Sequence, residues 1–180
     1  MHFAQGDWWS RRLIEAILAA HSKWRDPMSL TAFGEKLELR SEVEILADPS
    51  RIWRVIVDFD SHQRWNPLWA SLRGRAELNG RVTLELTRPG GDTLKLRRQI
   101  GVFVPEIELG WSGPYGWGWL LRSEQTIRLL AHGDGRTRVT VAENLRGPGV
   151  TNNNSTTLDI ARGQAMMNQA LKRYVETGKR

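Results

Sequence analysis

The chain has 180 residues, a formal net charge of +6, nine Trp and no Cys. The missing cysteine excludes disulfides, thiolate metal sites and cysteine nucleophiles together, and no stretch reaches the about 18 consecutive apolar residues of a membrane helix. The length fits one domain that buries about 70% of its unfolded surface, and the cations form no run of five, so they read as a solvated coat rather than a nucleic-acid footprint.

The N-terminal stretch "SRRLIEAILAAHS" carries twin Arg, but its apolar run is short, contains Glu15 and ends in His and Lys, not in a cleavage site. A signal peptide is therefore rejected, and a cytoplasmic location is expected. Residues 8–24 predict a helix, with Trp9, Leu13, Ile17, Ala20 and Trp24 on one stripe, Asp7 as N-cap and Asp26-Pro27 as its end. Such a helix packs on the main body, or it serves as a lid, a dimer contact or a peripheral contact with a membrane or protein partner. Residues 1–33 are thus read as a helical extension. The oligomeric state stays open.

Residues 36–46 alternate, with Leu37, Leu39, Val43 and Ile45 on one face of a strand. "ADPSRIWRVIVDFD" predicts a helix capped by Asp48, started by Pro49 and apolar along Ile52, Trp53, Ile56 and Val57. Pro67 then stops the chain at the corner "RWNPLWASLRG", where Gly74 eases a twist or bulge. Strands follow near 69–78, 81–88, 93–104, 106–112, 117–131 and 136–146, separated by turns of hairpin length, so the sheet is antiparallel. "TNNNSTTLDIARGQAMMNQALKRYVET", residues 151–177, predicts one long helix capped by its Asn/Ser/Thr cluster, with Ile160, Met167, Leu171 and Tyr174 close to one stripe. A sheet followed by a single long helix must bury that helix on one face, which makes the chain α+β. If the sheet curls around the helix, a gap remains between them.

In that order the motifs resemble the START-like, Bet v 1-like helix-grip (SRPBCC) superfamily, and most closely its polyketide cyclase/dehydrase and lipid-transport branch. The resemblance rests on "ILADPSRIWRVIVDFDSHQRWNP", "LRGRAELNGRVTLELTRPGG", "VPEIELGWSG", "EQTIRLL", "TRVTVAENLRG" and "MNQALKRYVE", and covers about residues 36–177. It implies a curved antiparallel sheet of about seven strands wrapped around the C-terminal helix, with a hydrophobic cavity beneath that helix. It also implies a hydrophobic small molecule or lipid as partner and no cofactor. Some members are cyclases, aromatases or dehydrases.

Strand phase selects residues for such a cavity: Leu84, Leu86, Arg98, Ile100, Trp111, Trp119, Leu121, Ser123, Gln125, Val141 and Glu143, with Met167, Leu171 and Tyr174 from the helix. At the corner, Trp65 is expected to pack the fold, Asn66 to tie the turn by side-chain hydrogen bonds, and Trp69 to line the pocket mouth. Arg98 and Glu143 are inward charges. They pair with each other, reach the sheet end, or orient a polar group of the ligand. In the last case Glu143 is the candidate catalytic acid or base, suited to aldol cyclisation or dehydration. Tyr115 and Trp117 in "GPYGWGW" either gate the pocket or form a plain turn. The four His, at 2, 21, 62 and 132, lack metal-ligand spacing and sit on ends or loops, so no metal site is expected. Two functions from different classes remain: a carrier or sensor of an apolar molecule, and a cyclase or dehydrase. An interaction module built on the N-terminal helix is a third.

Overall fold

The computed structural model describes residues 29–33, 36–87, 93–115, 121–147, 150 and 155–179. The expected helix over 8–24, with Trp117 and Trp119, lies outside the described residues. In chain order the elements are β1 (Ser29–Phe33), β2 (Lys36–Ile45), α1 (Pro49–Val57), a 3-10 turn (Phe59–Ser61), a short helix α2 (His62–Trp65), β3 (Trp69–Gly74) and β4 (Arg81–Thr87). β5 (Thr93–Val104), β6 (Glu108–Pro114), β7 (Arg122–Ala131), β8 (Thr137–Arg146) and α3 (Ser155–Thr177) complete the fold.

The strands form one antiparallel sheet in the order β1-β2-β8-β7-β6-β5-β4-β3, curved around α3 as the helix-grip reading expects. It has one strand more than expected. Ser29–Phe33, placed by the sequence reading in a helical extension, runs as β1 along the edge of β2, from Ser29 opposite Arg40 to Phe33 opposite Lys36. β2 pairs across the chain with β8, Leu39 opposite Glu143 and Val43 opposite Val139. Alternation is the cause of this pairing geometry: Leu37, Leu39, Val43 and Ile45 of β2 and Val139, Val141 and Leu145 of β8 all turn inward and are buried.

α1 starts on Pro49 and buries Ile52, Trp53 and Ile56, with Trp53 edge-on to Phe103 of β5 at 5.4 Å. Asp48 holds the N-cap position, but its side chain makes no capping bond, so the proline and the apolar face start this helix. Ile107 falls in sequence alternation with the buried Leu109 and Trp111, but it sits in the β5–β6 turn beside left-handed Glu106 and is exposed. Gly74 has φ +136, and a Cβ there would meet the Arg81 carbonyl oxygen at 2.4 Å, so the close approach of β3 to β4 requires glycine. The register shift on β3 lies between Trp69 and Ser71 rather than at Gly74. Among the described residues, no helix is long and apolar enough to cross a membrane.

Candidate functional site: a cavity under the C-terminal helix

α3 buries Ile160, Ala161, Met167, Ala170, Leu171 and Val175, and packs chiefly on β2. Toward β3, β4 and β5 the sheet leaves it. A cavity of about 440 Å³ opens there. Its wall is formed by Trp69, Leu84, Leu86, Leu96 and Trp111 from the strands, by Ile160, Gly163, Met166 and Met167 from the helix, and by Pro67 and Leu68 from the corner. The aromatic floor is a packed chain. Trp69 lies 5.6 Å from Trp111 and stacks on His62 at 5.1 Å, while Phe59 meets Trp111 edge-on at 6.3 Å. Each of the two tryptophans is thus packed against a neighbouring ring on either side.

The corner behaves as its residues dictate. Asn66 accepts the Leu68 N–H through Oδ1 at 3.0 Å, and Trp65 stacks on Tyr174 at 6.4 Å, away from the cavity. His62, read as lying on an end or loop, is the first residue of a short helix. It is buried in α2, and its Nε2 bonds the Ile56 carbonyl at 2.8 Å. Its Nδ1 has no partner, so a second proton there would be buried without an acceptor. Burial accordingly lowers its pKa to about 4, against smaller opposing effects of the Ile56 carbonyl and Asp58.

One end of the cavity is polar. Glu143 of β8 is buried, and its Oε2 accepts from Gln125 Nε2 at 3.2 Å and from Gln164 Nε2 at 2.9 Å. Arg98 of β5 is 5% exposed, and donates Nη2 to Ser123 Oγ at 2.8 Å and Nη1 to the Pro114 carbonyl. Ser123 in turn bonds Glu143. The two charges therefore do not form a direct ion pair, as one sequence reading had it. A hydroxyl links them. Burial raises the Glu143 pKa above the usual carboxylate value, more than Arg98, Gln164, Ser123 and Gln125 lower it. Burial also lowers the Arg98 pKa, opposed by Glu143 and Tyr115, but guanidinium stays protonated at neutral pH. The Tyr115 ring lies 5.9 Å from the guanidinium carbon and completes this end of the wall.

Of the residues selected from sequence, Trp69, Leu84, Leu86, Arg98, Trp111, Gln125, Glu143 and Met167 line the cavity. Ser123 is one bond behind the wall. Ile100, Leu121, Val141 and Leu171 are buried in the core instead, and Tyr174 covers Trp65. Trp119 lies outside the described residues. Sequence reasoning did not select Gln164, Asp159, Arg162 or the Leu68–Gly163 contact. Gln164 was available to it, because it sits four residues after Ile160 and three before Met167, on the same helical stripe.

The family described as polyketide cyclase / dehydrase and lipid transport matches residues 36–177. No curated protein matches. Among solved structures, a conserved protein of unknown function from Enterococcus faecalis has a TM-score of 0.62 at 19% identity, over 92% of this chain and 85% of its own. The Zhui aromatase/cyclase from Streptomyces sp. R1128 has a TM-score of 0.64 at 12% identity, covering 78% of this chain and 94% of its own. A START superfamily protein from Mycobacterium smegmatis gives 0.62 at 16% identity, over 79% and 99%. At these identities the likeness is one of fold.

Proposed function

The chain belongs to the polyketide cyclase/dehydrase and lipid-transport family, and from that premise we propose that it binds one apolar small molecule with an oxygen-bearing end, as a carrier or sensor. The observation that supports this reading is the division of the cavity: aromatic and aliphatic walls, a buried polar cluster around Glu143 at one end, and the exposed Thr87, Asp159 and Arg162 at the mouth. The volume of about 440 Å³ falls in the lower half of the about 300–1,000 Å³ typical of sites that enclose a single small molecule. The apolar walls supply affinity, and the Glu143–Gln125–Gln164 group with Arg98 orients the polar end. Native mass spectrometry of the freshly purified chain tests this. The expected result is a non-covalent adduct that organic extraction removes. A bare mass, together with no uptake of any apolar dye, would overturn the reading.

The second reading is a cyclase or dehydrase, in line with the family's description. It is favoured by one observation: Glu143 is a cavity-lining carboxyl whose burial raises its pKa, as proton transfer near neutral pH requires. The carrier reading is preferred because two amide donors already occupy one oxygen of Glu143 and no histidine lines the described wall.

A further inference from the structure

The pairing of the strands brings together cations that the sequence scatters. Lys36, the first residue of β2, lies opposite Arg146, the last of β8, and Arg146 lies opposite Arg122, the first of β7. Across Pro114, the same row continues through Arg97 of β5, Thr83 of β4 and Arg73 of β3. All five cations are exposed on the outer face of the sheet. Among the described residues none of the five side chains makes an ion pair or hydrogen bond. The nearest carboxylates on that face are Glu38 and Glu124, one row further in, and Glu85, which is taken by Lys95 at 3.8 Å.

The other half of the same face is built differently. There Arg40 pairs with Glu42 at 2.5 Å, Arg128 with Glu108 at 3.1 Å, and Arg138 with Glu44 at 3.5 Å. Like charges directly opposite on neighbouring strands destabilise a sheet. The unpaired row is therefore a local cost that the paired half shows how to avoid.

Its position indicates what offsets the cost. The row runs perpendicular to the strands, close to the ends of β2, β7 and β8. The cavity opens at that end of the sheet, between Pro67, Leu68 and Thr87 on one side and Arg162, Gly163 and Met166 on the other. Met166 is 45% exposed there. The apolar cavity opening at that end of the sheet favours a lipid surface over a nucleic acid as the occupant of this line of cations.

We propose that this row is a docking surface for an anionic bilayer, which it meets through lipid phosphate groups with the cavity mouth turned toward the membrane. The choice of a bilayer over another polyanion rests on the apolar occupant proposed above, but the test needs no occupant. Full-length protein is sedimented with vesicles of phosphatidylcholine alone and of an equimolar phosphatidylcholine–phosphatidylglycerol mixture. The double variant Arg122→Gln/Arg146→Gln is compared with Arg128→Gln/Arg138→Gln, which removes the same charge from the paired half. The protein should bind only the anionic vesicles, and should release as salt rises from about 0.1 M to about 1 M. The row variant should bind about 30-fold more weakly, the equivalent of about 2 kcal/mol, with the control within about threefold of the parent. Thermal unfolding establishes that both variants fold; the row variant, freed of opposed like charges, should be no less stable than the parent. Equal losses in the two variants would overturn the proposal, as would no binding to anionic vesicles. Row-dependent binding to a DNA duplex without vesicle binding would also overturn it.

Discussion

Replacing Glu143 by Gln tests the polar end of the cavity through pH. Glutamine keeps the shape and still offers one carbonyl oxygen to Gln125 and Gln164, so the variant folds. In the parent, burial raises the folded-state pKa above the 4.5 of the free side chain. Above pH 4.5 the unfolded chain has released a proton that the folded protein still holds. The stability due to this group is complete below pH 4.5 and is lost as pH rises toward the folded-state value, by up to about 1.4 kcal/mol per pH unit. Glu143→Gln has no proton to lose and escapes the decline. Urea unfolding of ligand-stripped protein at pH 5 and pH 8 should show the variant gaining on the parent at the higher pH. Glu143→Leu supplies the complement. It strands two buried amide donors at about 1–3 kcal/mol each, a loss of roughly 4–24 °C in Tm for a chain of this size. A parent–variant gap that is the same at both pH values would refute the raised pKa. A Leu variant as stable as the parent would refute the amide clamp.

His62 gives the opposite pH signature. Its pKa is lowered to about 4 from 6.5, so its contribution is complete above pH 6.5 and is lost as pH falls toward 4, by about 3 kcal/mol in all. His62→Gln should flatten that limb of the stability–pH curve in circular dichroism melts, and an unchanged limb would assign acid sensitivity elsewhere. Gly163 controls the mouth: a Cβ there would lie 2.9 Å from Leu68 Cδ1, the mobile end of a side chain. Gly163→Leu should leave the melting curve close to the parent's while uptake of an apolar dye falls at least tenfold, and undiminished uptake would place the entrance elsewhere.

The fold was legible because each strand alternates and each turn carries its own punctuation. Leu37, Leu39, Val43 and Ile45 face inward as read, and Pro49 and Pro67 mark where the chain changes element. β1 was hidden because its five residues are too short for alternation to stand out, and its partner decides its structure. The site was legible in part for a definite reason. Strand phase says which face a side chain takes but not how far along the strand the helix covers it. Arg98 and Glu143 thus reach the cavity, while Ile100 and Val141, two residues away on the same strands, are sealed in the core. Tyr174 failed similarly. It lies seven residues beyond Met167, about 10 Å along the helix axis, over Trp65 rather than the cavity. Gln164 escaped because a search for apolar stripes passes over an amide that belongs to one. The outer row of Lys36, Arg146 and Arg122 needs the strand order, and nothing local in the sequence pairs β2 with β8.

The central claim is an apolar cavity with one end built for oxygen, and two probes of nearly one shape test it most directly. Naphthalene and 2-naphthol differ by a hydroxyl, and Trp69 and Trp111 in the wall report either by fluorescence quenching. Both should quench the parent protein, with 2-naphthol binding about tenfold more tightly, as one buried hydrogen bond of about 1.4 kcal/mol provides. Equal affinity for the two would contradict the role given to the Glu143 end. Failure of both to quench would contradict the cavity as a binding site.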